Sequence, residues 1–344
     1  MKNLNSDKSY IEKGGILFGT KKDRYYINGS DTHTLVIGAT RSGKSRSIVL
    51  PTIGIEGLAG ENMVVSDPKG ELHQYTYPFL EALGYNVFVL DFKNPDRSDH
   101  FNFSQEVIDA INDDNIPLAQ KKALDITEAL VGNDTSNEKI WSEGEKSIMA
   151  ACILAVVYDN KEHPEYQNLT NVYHFINNMC EMSDNPPLKR YIDTIEALNP
   201  NHPALALISA TRVAPSKTQG SFNISALATL RLFADINVYN LTKSNSFKIE
   251  DLNDQKTAIF IILPDYNTTY YGVASLFVDQ IYTKLADVAD LQGGRLKRRV
   301  NFILDEFGNF AVIPDFATKL TVAGGRGIRF NLFLQSTAQL ESDS

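Results

Sequence analysis

The stretch Gly38-Ala39-Thr40-Arg41-Ser42-Gly43-Lys44-Ser45 follows five strand-like residues, His33 to Ile37, and runs straight into "RSIVLPTIGIEGL". A strand that ends in G-x-x-x-x-G-K-S and turns at once into a helix leaves few folds open. The glycines let backbone N–H groups turn inward, and the new helix brings its positive end to the same place, so the turn is a cradle for phosphate. Lys44 then reaches the β- and γ-phosphates of a nucleotide, and the Ser45 hydroxyl coordinates Mg²⁺. A structural strand-to-helix turn is the competing reading.

The 344 residues suffice for two domains and a large core. The net charge of -9 excludes adhesion to nucleic acid by bulk electrostatics, so any polyanion contact must come from a local basic patch. Cys152 and Cys180 have no paired spacing, which excludes a cysteine-based zinc cluster and fits a reducing compartment. Cys152, inside "IMAACILAVVY", reads as a buried inert thiol. The start, "MKNLNSDKSYIEK", lacks the apolar segment of a signal peptide. The longest apolar run, Ile148 to Tyr158, is about half of what spanning a bilayer requires, so the chain is expected to be soluble.

Strands and helices alternate over the first hundred or so residues. "SRSIVLPTIGIEGL" predicts a helix kinked at Pro51, "NMVVSD" a buried strand, "ELHQYTYPFLEALGY" a helix that Gly84 can terminate, and "NVFVLDF" another strand. Near-continuous apolar strands separated by helices imply a parallel sheet covered on both faces. From about Phe103 to Ala234 only helical spacing appears, in "IPLAQKKALDITEALVG", "EKIWSEGEKSIMAACILAVVYDN", "LTNVYHFINNM", "PPLKRYIDTIEAL" and "TQGSFNISALATLRLFA". Strands then return in "KTAIFIILP", "RVNFILDEF" and "GIRFNLFLQST", with a long helix over "TYYGVASLFVDQIYTKLADVADL". The expected class is α/β, with an all-α domain at 103–235 inserted between the two parts, 1–102 and 236–344, of one nucleotide-binding domain.

"VNFILDEF" supplies the second half of a nucleotide site. Asp305 ends an apolar strand and would hold hydrated Mg²⁺, while Glu306 would polarise the attacking water. Two adjacent acids rarely end a buried strand without a cation, because unpaired buried charge is costly. A solvated pair at a loop start is the alternative. The guanine-reading N-K-x-D motif is absent from the sequence, which favours ATP. Gln335 ends the strand of "RFNLFLQST", where a polar residue in additional-strand ATPases touches the γ-phosphate; a glutamine meeting solvent explains it equally well. In "AGGRGIRF" the glycines place Arg326 on an adaptable loop, suited to reach a neighbouring subunit's γ-phosphate or merely to be solvated, and Arg329 reads as structural.

Taken in order, "GATRSGKS", "VVSDPKGEL", "GYNVFVLDFKNPDRSDHFN", "KTAIFIILPD", "FILDEFGNF" with "IPDF", and "FLQSTAQL" resemble the type IV secretion coupling proteins, the TraG/TraD-like conjugation ATPases, in the branch common in Gram-positive mobile elements. The resemblance covers nearly the whole chain and is strongest outside the helical block. It implies a RecA-like P-loop ATPase with a mostly parallel sheet, interrupted by the all-α domain and assembling as a hexamer. It further implies ATP and Mg²⁺ as ligands and Lys44, Glu306, Arg326 (the arginine finger) and Gln335 as catalytic residues. Relaxase or relaxosome, single-stranded DNA and membrane channel components are the implied partners, at the cytoplasmic face of the membrane. The all-α domain looks like the part that docks substrates. Family members carry transmembrane helices ahead of the motor and further strands after it, so the sequence is expected to represent a shortened form.

Three smaller readings accompany this. Lys69, in "VVSDPKGEL", faces a subunit boundary or lies in a solvated turn. The basic run "GGRLKRR" meets DNA phosphates or is a solvated loop. Trp141 packs within the helical block. Two other functions share the motor motifs: a nucleotide-gated docking receptor with little hydrolysis, and a pump for double-stranded DNA, which does not predict the long helical insertion.

Overall fold

The computed structural model describes residues 10–22, 24–39, 41–132, 139–179, 186–264 and 268–340. The chain divides into two compact units, Met1–Asp99 with Ser246–Ser344, and His100–Asn245.

The first unit opens with an antiparallel hairpin, β1 (Ile16–Lys21) and β2 (Arg24–Asn28), which no sequence pattern announces. Its turn at Lys22 takes φ 53° without the usual Asn-Gly pair. β3 (Thr34–Ile37) leads through the glycine loop and a π-type turn at Ser45–Val49 into α1 (Leu50–Ala59). The π-type turn passes without a break into α1, so Pro51 lies inside one continuous helical segment at the point where it changes from π to α geometry, consistent with the irregularity expected at that proline. β4 (Asn62–Asp67), α2 (Glu71–Ala82) and β5 (Asn86–Asp91) follow, with Gly84 at φ 80° closing α2.

The second unit is helical throughout its described residues: α3 (Gln105–Asn112), α4 (Ile116–Val131), α5 (Lys139–Asp159), α6 (Leu169–Met179), α7 (Pro187–Leu198), α8 (Pro203–Arg212), α9 (Ser216–Leu230) and α10 (Ile236–Thr242). α5 is buried continuously from Ile148 to Val157, as expected of a helix that is apolar all round, and α4, α6, α8 and α9 pack about it. Cys152 is buried there, and Cys180 lies outside the described residues. The unit runs past Ala234 because α10, too short to show a period, belongs to it: the Phe101 N–H donates to the Leu241 carbonyl at 2.8 Å. Trp141 meets Phe222 edge-on, with centroids 5.7 Å apart, and is half exposed.

The first unit resumes with α11 (Asp251–Asp254), β6 (Thr257–Ile262), α12 (Tyr271–Leu291), β7 (Val300–Leu304), α13 (Phe316–Ala323) and β8 (Ile328–Leu334). Six strands form one parallel sheet in the order β3-β8-β7-β4-β6-β5. β4, β6 and β7 are buried along their whole length, which is why they read as unbroken apolar runs. Val49, Ile53, Leu72 and Leu80 cover one face, over Val65, Phe260, Ile303 and Phe333. On the other face Phe330 stacks on Phe302 and meets Tyr282 of α12 and Phe316 of α13.

At the ends of the strands opposite the glycine loop, buried polar groups tie the hairpin to the sheet. Arg329, 2% exposed, donates to Asn301 Oδ1 at 2.9 Å, to the carbonyls of Asn28 and Ser30, and to Glu56. Burial pushes the Glu56 carboxyl up to about 8 against the pull of the Arg329 charge. Arg329 is thus structural, as the sequence indicates.

Candidate nucleotide site

The strand order brings the carboxyl ends of β3, β8, β7 and β4 side by side, with β8 between the glycine loop and the two acids. Such strand ends are where ligands bind in parallel α/β sheets. In the loop, Gly43 takes φ 87° and Arg41 φ 64°, turns that reverse the chain before the Ser47 N–H closes on the Gly43 carbonyl at 2.9 Å. A methyl at Gly38 would come within 2.9 Å of Ser42 Oγ and 3.1 Å of the Lys44 side chain, so a larger residue there would displace both side chains from the cradle. Ala39 and Ser42 share that turn, the Ser42 N–H donating to the Ala39 carbonyl at 3.0 Å. Thr40 lies outside the described residues.

The Lys44 ammonium donates to the Leu334 carbonyl at 2.8 Å and to the Gly38 carbonyl. It therefore spans the ends of β3 and β8 from inside the cradle. The Ser45 hydroxyl donates to Asp305 Oδ2 at 3.0 Å, so the two residues assigned to magnesium stand together. Burial raises the Asp305 carboxyl above its ordinary range; the Ser45 hydrogen bond, the Glu306 N–H, and the charges of Lys44 and Lys69 pull it back. A desolvated carboxylate beside a hydroxyl suits a divalent cation, and Mg²⁺, which keeps several waters, needs few protein ligands. Ser66 of β4 fixes the backbone here by donating to the Asp305 carbonyl at 2.7 Å.

Glu306 takes φ 54° and ψ 38°, the left-handed region, at a cost on the order of 1 kcal/mol for a residue with a Cβ. The turn swings its carboxylate toward the end of β8, where Oε1 accepts from Gln335 Nε2 at 3.3 Å and Oε2 accepts from Asn309 Nδ2 at 3.3 Å. Gln335 is therefore in contact with the second acid rather than only at a strand end. Asp67 closes β4 with a carboxyl that burial raises, against backbone N–H donors including that of His73 at 2.8 Å. The following Lys69 is exposed on the same side of the sheet, near enough to act on Asp305.

Arg326 is elsewhere. It precedes β8 and pairs with both Asp290 oxygens at 3.1 Å. The seven residues of β8 separate it from Gln335, roughly 20 Å along the strand. The chain does not bring Arg326 to its own cradle. The basic run also lies at that far end and is committed internally: Arg295 and Arg299 to Asp31 at 2.9 and 2.8 Å, Lys297 to Asp254 at 2.6 Å, and Arg298 to the Gly60 carbonyl at 3.0 Å. Arg295 and Lys297 remain exposed, so the run is a solvated loop that also carries ion pairs to its own unit. Ser66, Asn309 and the Ser45–Asp305 bond carry no motif a single sequence would flag.

Among known proteins, this chain is 25% identical over 333 residues to Protein VirD4 of Agrobacterium fabrum, covering 92% of this chain and 45% of that protein. It is 24% identical over 368 residues to the conjugal transfer protein TraG of Escherichia coli, covering 98% of this chain and 54% of that one. The chain thus spans about half the length of these relatives. The plasmid coupling protein TrwB has the same fold, at 18% identity in both an unbound form (TM-score 0.65, 96% of this chain, 68% of that chain) and a complex with ADP and Mg²⁺ (TM-score 0.63, 91% and 66%). The α/β, RecA-like class with an added helical unit is therefore the observed one. No helix among the described residues is long and apolar enough to cross a membrane. The model of the type IV secretory system conjugative DNA transfer family matches residues 2–343, and this chain belongs to that family.

Proposed function

We propose that the chain is the motor part of a conjugative coupling protein that binds and hydrolyses ATP and uses the cycle to move relaxase-bound single-stranded DNA toward a membrane channel. The observation that carries this reading is the meeting of Lys44, Ser45, Asp305, Glu306 and Gln335 at one end of one sheet. The ADP–Mg²⁺ complex of TrwB supports the same ligands here.

Bound magnesium would supply positive charge to the β- and γ-phosphate oxygens, with Ser45 and Asp305 as its protein ligands. Lys44 would exchange the Gly38 and Leu334 carbonyls for the triphosphate, and the loop N–H groups would hold the β-phosphate. Glu306 would accept the proton of the attacking water as the new P–O bond forms and the bond to the ADP oxygen breaks. Gln335, already beside Glu306, would meet the γ-phosphate and lose that contact on product release.

Arg326 is too far from its own cradle to serve it, which supports action on a neighbouring copy in a ring of six. Arg326→Ala mixed with Lys44→Ala, each inactive alone, is expected to restore part of the turnover, because a Lys44→Ala copy still offers its Arg326 to an intact neighbouring cradle. No restoration in assembled mixtures would remove the in-trans role.

Phosphate release measured with and without single-stranded DNA tests the motor reading, and DNA is expected to raise the rate. Absent turnover in both, with relaxase binding retained, would instead establish a nucleotide-gated docking receptor.

A further inference from the structure

Beyond the strand end of β8, the chain folds back so that Gln339 returns to Gln335. The Gln339 side-chain oxygen accepts from the Gln335 N–H at 2.7 Å and more weakly from the Ser336 N–H at 3.4 Å. The carboxamide is pressed against Gly308, where a methyl group would overlap its carbon and nitrogen. Gly308 stands in the short turn Phe307–Asn309 directly after Glu306, and the Asn309 side chain of that turn holds Glu306 Oε2. One amide thus touches two backbone segments: that of Gln335, and that which sets the Glu306 carboxylate.

The Gly308 turn has an anchor of its own. Phe307 packs on Phe310 and Phe316, with centroids 5.5 and 5.2 Å apart, and Phe316 packs on Phe330 of β8. Beside it lies a cavity of about 490 Å³ lined by Leu35, Phe310, Ile313 and Gln339, so the turn is not wedged from every side. Gln339 lines this cavity together with Phe307 and Gly308 of the turn.

We infer that Gln339 is a positioning residue for hydrolysis. Its carboxamide fixes the distance between the Gln335 and Glu306 segments, so that loss of the γ-phosphate at Gln335 and movement of Glu306 occur together. Gly308 is the matching half of the contact, because only glycine leaves room for that carboxamide. The inference rests on the proposed ATPase reading.

The test is a double-mutant cycle on Gly308→Ala and Gln339→Ala, reading DNA-stimulated turnover and binding of a non-hydrolysable ATP analogue, with folding checked by thermal melting. Gln339→Ala is expected to lower turnover about tenfold, the scale of a sub-ångström misplacement, and to change analogue affinity by less than about twofold. Gly308→Ala is expected to lower turnover similarly by displacing the amide, and to add nothing in the Gln339→Ala background. Turnover within about twofold of wild type in Gln339→Ala overturns the inference, as do multiplying losses in the double variant. Parallel losses of turnover and analogue affinity overturn it too, since they would mark a merely structural role. A wild-type chain without turnover overturns the ATPase reading and the inference with it, whereas wild-type turnover unaffected by Gln339→Ala removes the inference alone.

Discussion

Lys44→Ala is expected to lower affinity for magnesium-ATP by at least about a hundredfold while leaving the nucleotide-free fold intact. The ammonium is held inside the cradle by the Leu334 and Gly38 carbonyls, so it is already placed where the β- and γ-phosphates would arrive. A unit charge pair about 4 Å apart at an effective dielectric constant near 20 is worth about 4 kcal/mol, and every 1.4 kcal/mol is a factor of about ten in affinity. Exchange of carbonyl contacts for phosphate contacts returns part of this, which sets the lower figure. Isothermal titration of both proteins checks it. Affinity retained within about tenfold would mean that the loop does not hold the phosphates through Lys44.

Glu306→Gln is expected to cut turnover by about a thousandfold, within the usual range for a general base, and to leave magnesium-ATP binding unchanged. Glutamine keeps the shape of the side chain, and its carbonyl oxygen can still accept from Gln335 or Asn309, the present partners of the carboxylate. What it loses is the capacity to take a proton. The variant should therefore accumulate bound ATP, not ADP, when the protein is quenched and its nucleotide extracted. Hydrolysis at the wild-type rate would take Glu306 out of the reaction, and the strained backbone at that residue would need another explanation.

The two halves of the site were legible because each obeys a strong local rule. The glycine loop must follow a strand and open a helix, and it does so between β3 and α1. The paired acids had to end a buried strand, and β7 is buried throughout. Their joining across β8, which sets Gln335 between them, needed the pairing order, which no single segment encodes. The contacts made by Asn309, Gly308 and Gln339 were hidden for the same reason: they depend on how a strand end folds back on a neighbouring turn. The hairpin β1–β2 was missed because its turn lacks glycine or asparagine, and because Phe18 and Tyr25 face outward where alternation would hide one face. For the basic run the sequence offers a solvated loop or a DNA contact but not its ion pairs, because the carboxylates that engage it, Asp31 and Asp254, are distant in sequence and near only in the fold.

The most direct test of the account is titration of the folded wild-type chain with ATP in the presence and absence of Mg²⁺. The account predicts one saturable site per chain, dependent on magnesium and weakened by Lys44→Ala. A chain that melts cooperatively yet takes up no ATP in either condition would contradict it.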